Sequence, residues 1–153
     1  EMISEVSYQS AKWNILPYRL EAGTPNIADV IGFAAAINWF TQFDLSAVLA
    51  HEDALIQQAT QMAEDFSGLR IVGAARQKVP VLSFVMERGH PADIGFILDR
   101  QGIAIRTGHH CAEPLMHRLN VPGTARASFA IYNTADEVEQ LFTALKKVKM
   151  MLA

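Results

Sequence analysis

A change from strand to helix is encoded by RTGHHCAEP, residues 106–114. The apolar run before it predicts a short strand over Ile103–Arg106. Gly108 permits a tight bend, and Pro114 is typical of the first turn of a helix. The bend therefore places Cys111, the one cysteine of the chain, directly before a helix.

The segments on either side of this stretch predict an α+β fold. Apolar and β-branched runs bounded by polar residues predict strands at Leu69–Gly73, Val79–Met86 and Ala125–Tyr132, after one or two short strands near the N-terminus. We expect a small, mostly antiparallel sheet with helices packed on one face. Apolar residues at helical spacing predict helices over about 25–42, 46–65, 91–101 and 135–151.

Two of these helices carry distinctive signals. The last has Thr134 at its start and Glu137 three residues later, the spacing of a capping box. The helix over 25–42 has Thr24 as its predicted N-cap and Pro25 as its first residue. It is apolar on nearly every side, which predicts burial on every side and is a first indication that part of the molecule is missing.

Composition restricts the class of protein. The chain has 153 residues, of which 50% are hydrophobic and 19% are charged, which is enough apolar material for one packed domain and too much for a disordered chain. A net charge of −3 gives no reason to expect nucleic acid as a partner. No apolar run reaches the roughly 18 residues of a membrane span, and we expect no secretory signal. A single cysteine fits the reducing cytoplasm.

The flanks of Cys111 predict a reactive thiol. Unpaired N–H groups at a helix start favour negative charge, and Arg106, His109 and His110 act in the same direction, so thiolate is favoured. Two other interpretations stay open at this point. The thiol could be a small buried hydrophobe, as many lone cysteines are. It could also bind a metal with the histidines and His117, although adjacent residues rarely share one metal ion.

Two further groups are candidate binding residues. Arg106 lies at the end of one predicted strand and Arg126 lies in the next one along the chain. Guanidinium groups near a thiol suit capture of a substrate carboxylate; the alternative is an ordinary ion pair at the surface. Gly23 and Thr24 precede a helix start, where a backbone turn and a hydroxyl can hold a phosphate; the alternative is simply a capped helix.

These motifs resemble a known family. Residues 106–116, 125–129 and 132–134 closely resemble the C-terminal part of SUF-type (group II) cysteine desulfurases, and residues 20–26 resemble a further family segment. These enzymes belong to the class V aminotransferases, within the fold-type I enzymes that use pyridoxal 5'-phosphate. The resemblance extends over nearly the whole chain in the family's order.

The resemblance implies an activity and a role for each candidate residue. Cys111 matches the cysteine that takes sulfur from L-cysteine, releasing L-alanine and leaving a persulfide for an acceptor protein in iron–sulfur cluster assembly. Arg126 matches the arginine that holds the substrate carboxylate, and Arg106 matches a further arginine of the active site. Thr24 matches the threonine that reaches the cofactor phosphate of the partner subunit in a homodimer.

One family feature is missing from this sequence. None of its five lysines follows a histidine, whereas the lysine that anchors the cofactor follows one in this family. We therefore expect a C-terminal fragment that is inactive alone, with residues 1–45 from the edge of the large cofactor-binding domain and its linking helix, and residues 46–153 as the small domain. The alternatives are a selenocysteine lyase and a free-standing sulfur-carrier or interaction module.

Overall fold

The computed structural model describes residues 2–73 and 75–153, and its chain forms two compact units, Glu1–Leu45 and Ser46–Ala153. The assignment of each unit to a domain of a larger enzyme stays a prediction. Among the described helices, none is both long enough and apolar enough to cross a membrane.

The first unit contains one hairpin, one turn and one helix. Strand β1, Ile3–Val6, pairs antiparallel with strand β2, Ala11–Trp13, in agreement with the one or two short strands expected there. A single turn of 3-10 helix follows at Tyr18–Leu20, and helix α1 covers Ile27–Phe40.

Helix α1 begins two residues later than predicted. Its N-cap is Asn26, whose side chain accepts a hydrogen bond from the backbone N–H of Asp29 and donates one to the Asp29 carboxylate. The prediction that Thr24 caps this helix is therefore wrong. Asparagine is at least as good an N-cap as threonine, and here it makes a reciprocal pair with the residue three positions on.

Helix α1, which is apolar on nearly every side, is exposed within this chain. The expectation that residues outside this sequence cover it stays a prediction. None of its residues is buried, and Phe33 and Val30 are about two-thirds exposed. The reason is the size of its unit, because a two-stranded hairpin and a single turn are too small to enclose a helix that is apolar all round.

The second unit has a four-stranded antiparallel sheet, as the sequence predicts. Its strand order is β3-β4-β6-β5, and every pairing is antiparallel. The strands are β3 at Leu69–Ile71, β4 at Val81–Met86, β5 at Arg106–Gly108 and β6 at Thr124–Ser128. The helices are α2 at Leu45–Glu64, α3 at Pro91–Asp99, α4 at Glu113–Leu119 and α5 at Ala135–Met151.

The core lies against one face of this sheet. Leu82 and Phe84 of β4 stand opposite Ala127 and Ala125 of β6, and all four side chains are buried. Side chains of three helices complete the cluster, so α2, α3 and α5 cover this face as predicted; they include Leu55, Ala59, Ile94, Leu98, Leu141, Leu145 and Val148. Side chains alternate along a strand, so the positions between the buried ones point to the opposite face.

All four strands differ from their predicted bounds; β3 ends two residues early and β4 begins two residues late. Strand β5 starts at Arg106 instead of ending there, because its pairing with β6 runs from Arg106 to Gly108, while Ile103 and Ile105 pack against the core before pairing begins. Strand β6 ends at Ser128, since the side chain of Asn133 accepts a hydrogen bond from the N–H of Ala130 and closes a turn. The predicted capping box of α5 is confirmed.

Candidate active site

The loop between β5 and α4 has an unusual backbone. Gly108 has φ of 112°, and the non-glycine residues His110 and Cys111 have φ of 56° and 58°. Each left-handed residue with a side chain costs about 1–2 kcal/mol relative to a right-handed one. Two in succession persist only where surrounding contacts hold them, and such strain is concentrated at functional sites.

The Cys111 thiol is exposed at this turn. It lies one residue before Ala112, the N-cap of α4, and its Sγ is 4.0 Å from Nη2 of Arg106. That separation is within the range of the weak hydrogen bonds that sulfur accepts. The interpretation of Cys111 as a buried hydrophobe is therefore wrong, and the thiol is open to a reagent or substrate.

Two arginines stand side by side on the sheet. Arg106 of β5 is directly opposite Arg126 of β6, so both side chains leave the same face, the one opposite the core. Like charges in this position destabilise a sheet. Nε of Arg126 is buried and, within residues 2–73 and 75–153, has no hydrogen-bond partner. An anion between the two guanidinium groups would remove the repulsion and satisfy this donor.

A contact that the sequence did not predict holds the loop to the sheet. Nε2 of His110 lies 2.9 Å from Oγ1 and 3.1 Å from the carbonyl oxygen of Thr124, at the start of β6. Burial is the main cause that lowers the pKa of His110; the bond to Thr124 opposes it, and the charges of Arg126 and Arg106 add to the lowering. The ring is therefore held as neutral imidazole near pH 7.

Close packing of two backbones fixes the same loop. Gly123 has φ of 150°, and a Cβ built on it would lie 3.0 Å from the carbonyl oxygen of Gly108. Only glycine allows this approach, which brings the start of β6 against the end of β5. A glycine before a predicted strand is visible in the sequence, but its contact with Gly108 becomes visible only in the fold.

The other polar side chains of the loop are weakly held. Glu113 lies 4.0 Å from Nδ1 of His109 and 3.9 Å from Nε2 of His117, and all three side chains are exposed. Within the described residues, no group of three histidine, cysteine, aspartate or glutamate side chains is arranged to hold a metal ion.

The structure brings together three of the four candidate residues. Cys111, Arg106 and Arg126 lie around one edge of the second unit. Thr24 belongs to the first unit, where it is exposed and directly precedes Pro25 and the N-cap of α1. Its hydroxyl is not the helix cap and stays a candidate contact for a phosphate.

Comparisons with known proteins identify the family. The family model described as Aminotransferase class-V matches residues 1–141. The chain belongs to the class-V aminotransferases. Within this family it is 44% identical over 152 residues to a probable cysteine desulfurase of Vibrio cholerae, covering 99% of this chain and 37% of that protein. It is 41% identical over 148 residues to a cysteine desulfurase of Synechococcus elongatus, covering 97% of this chain and 24% of that protein.

Solved structures of this class agree with the fold. The cysteine desulfurase CsdA (S-sulfonic acid) of Escherichia coli superposes with a TM-score of 0.89 at 36% identity, over 99% of this chain and 38% of that one. The apo cysteine desulfurase of Thermococcus onnurineus gives a TM-score of 0.86 at 36% identity, over 96% of this chain and 37% of that one. The chain thus spans between about a quarter and two-fifths of the length of these relatives.

Proposed function

We propose that this class-V aminotransferase chain is the sulfur-accepting part of a cysteine desulfurase that uses pyridoxal 5'-phosphate. One observation carries the proposal: the exposed thiol of Cys111 lies beside Arg106, which stands opposite Arg126 on the sheet, a group that fits a small amino acid bearing a carboxylate and a sulfur atom. The names of the relatives at 41–44% identity support the same activity.

The arginine pair is proposed to hold the substrate carboxylate. Arg126 is half-buried, with a buried Nε whose hydrogen bond is unmade, so it is the better placed of the two for a fixed contact. Arg106 is exposed and reaches Cys111 Sγ as well, so its guanidinium can touch both the carboxylate and the thiol. Bidentate hydrogen bonds between guanidinium and carboxylate would orient the substrate.

Cys111 is proposed to receive the sulfur. Its thiolate attacks the sulfur of L-cysteine, an S–S bond forms, and the substrate C–S bond breaks with its electron pair left on the carbon side. The carbon skeleton then takes up protons and leaves as L-alanine, while Cys111 keeps the transferred sulfur as a persulfide. The Arg106 guanidinium lies 4.0 Å from Sγ, so it can contact the sulfur during this step.

The described residues fit one end of the implied cofactor. The Thr24 hydroxyl is exposed, and space is open around the neighbouring Gly23, so this turn can hold a phosphate. No lysine lies on β5, on β6 or on the loop that carries Cys111. We propose that the anchoring lysine belongs to residues outside this chain. When bound, pyridoxal phosphate withdraws electrons from the amino acid and makes its C–S bond breakable.

The wider setting follows from the same resemblance. We propose that Thr24 contacts the cofactor of a partner subunit in a homodimer, and that an acceptor protein takes the persulfide sulfur for iron–sulfur cluster assembly in the cytoplasm. An exposed Cys111 is a requirement for such a transfer, because a protein acceptor must reach the terminal sulfur.

The test uses the full-length enzyme loaded with pyridoxal phosphate. L-alanine release is measured with L-cysteine and with L-selenocysteine, for the parent and for Cys111→Ala. A desulfurase loses alanine formation from L-cysteine in the variant. Because selenium leaves more easily and depends less on a thiol, a selenocysteine lyase keeps its activity on selenocysteine. Full desulfuration of L-cysteine by Cys111→Ala would contradict the role proposed for this thiol.

A further inference from the structure

The proposed reaction assigns no role to His110, although its side chain makes the closest contacts of this loop with the sheet. His110 directly precedes Cys111, and its Nε2 contacts both the hydroxyl and the carbonyl of Thr124. His109, by contrast, is exposed and lies at the 4.0 Å limit of an ion pair with Glu113. Of two adjacent histidines, only the second is fastened to the sheet.

The contact between His110 and Thr124, which we call the anchor, has its location fixed by the sheet. Thr124 is two residues before Arg126 on β6, so the two side chains leave the same face, which also carries Arg106. Thr124 is only 1% exposed although it points away from the core, and the His110 ring lies against it. The ring therefore sits on the face of the arginine pair.

The acceptor in this contact determines which nitrogen of the His110 ring carries the proton. The Thr124 carbonyl oxygen can only accept a hydrogen bond, so Nε2 of His110 carries the proton and donates. Nδ1 is then the unprotonated nitrogen, and it is buried without a partner among the described residues. A ring fastened through Nε2 restrains the backbone of residue 110, and the left-handed turn of His110 carries Cys111 to its place beside Arg106.

We propose that His110 is a positioning residue: through its Nε2–H bond to Thr124 it holds the left-handed turn that places the Cys111 thiol against the arginine pair. The proposal rests on the proposed function, because it explains how that chain would keep its nucleophile near a bound carboxylate. Its effect is on the location of the thiol, so it is measurable without turnover.

The test compares two alkylating reagents on the 153-residue chain at low salt. Cys111 is the one cysteine, so its modification is read without interference. Iodoacetate carries a carboxylate and iodoacetamide does not, so the ratio of their rates, divided by the ratio for a small free thiol, reports guanidinium charge near Sγ. A unit charge at about 4 Å in water changes such a rate roughly fivefold.

Variants at both ends of the anchor are measured, with folding followed by circular dichroism. His110→Ala should lower the ratio about fivefold, toward the free-thiol value. His110→Gln meets the same backbone penalty but keeps an N–H donor, so it should restore most of the ratio. Thr124→Val removes the shorter contact, with Oγ1, and keeps the backbone carbonyl, so it should lower the ratio in part, whereas Thr124→Ser should keep it. His109→Ala is the matched control and should leave the ratio unchanged.

The outcomes separate this proposal from the proposed function. A folded His110→Ala protein with the parent's ratio would overturn the positioning role, while the arginine pair would still be supported by a parent ratio above that of the free thiol. If His110→Ala does not fold, His110→Phe replaces it, because phenylalanine keeps a ring but has no N–H donor, and an unchanged ratio in that variant overturns the positioning role in the same way. A parent ratio equal to that of the free thiol would instead count against the arginine site and overturn the positioning role with it.

Discussion

Replacing Gly123 with alanine tests the packing that joins β6 to the Cys111 loop. A Cβ at this position would lie 3.0 Å from the carbonyl oxygen of Gly108, 3.1 Å from its carbonyl carbon and 3.2 Å from its Cα. All three are backbone atoms at the end of β5, so no side chain can turn away to relieve the contact. The φ of 150° adds backbone strain for any residue with a side chain.

The two costs combine. Backbone strain of this kind costs of order 1–3 kcal/mol, and overpacking costs about 1–3 kcal/mol. We therefore expect Gly123→Ala to lower the free energy of unfolding by roughly 2–6 kcal/mol. Gly102→Ala is the matched control: Gly102 has φ of 76° and nothing within 4 Å of an added Cβ, so it should cost only about 1–2 kcal/mol.

The assay is urea unfolding followed by far-ultraviolet circular dichroism. Tryptophan fluorescence would be misleading, because Trp13 and Trp39 both belong to the first unit and the substitution is in the second. The alkylation ratio at Cys111 should fall in the folded Gly123→Ala protein, since Gly108 must move. Equal destabilisation by Gly123→Ala and Gly102→Ala, with an unchanged ratio, would refute the close packing described between β5 and β6.

Three more predictions concern the site and the core. In the full-length enzyme, Arg126→Gln should raise KM for L-cysteine about 10- to 150-fold through the loss of a charge-assisted hydrogen bond; an unchanged KM in steady-state kinetics would remove Arg126 from the site. Phe84→Ala should cost about 3–5 kcal/mol in urea unfolding, because Phe84 is fully buried, whereas Phe96→Ala, at a 68% exposed position, should change it by less than about 0.5 kcal/mol. Burial, with the nearby arginines, lowers the pKa of His110, so the unfolded chain binds the proton more readily; its contribution to stability is complete above pH 6.5 and lost as pH falls below that value. Between pH 7 and 5 the free energy of unfolding should therefore fall more steeply for the parent than for His110→Gln. Identical dependence on pH in the two proteins would contradict a lowered pKa of His110.

Much of the second unit could be predicted from the sequence because its local signals agree with its packing. The capping box at Thr134, the apolar stripe of α2 and the largely apolar run of β4 each specify an element that also buries its apolar side. Helix α1 was predicted less well. Its composition indicates burial, but composition cannot show what covers a helix, and none of its residues is buried within this chain.

The site shows the same difference between local and long-range information. Cys111 and the arginines are recognisable because their residue types and order are unusual. Their proximity depends on which residues of β5 pair with β6. The sequence did not predict this pairing, and β5 starts three residues later than the predicted strand. The Thr124 anchor of His110 joins residues 14 apart in sequence, and no periodicity or motif indicates a contact of that kind.

The central claim is that Cys111 accepts the substrate sulfur. Mass spectrometry of the peptide containing Cys111, after the full-length enzyme has turned over L-cysteine without an acceptor or reductant, measures this directly. The account predicts a gain of one sulfur atom on that peptide, in proportion to the alanine released in the first turnover. Alanine release in the same reaction with Cys111 unmodified, and sulfur appearing only as free sulfide, would contradict it.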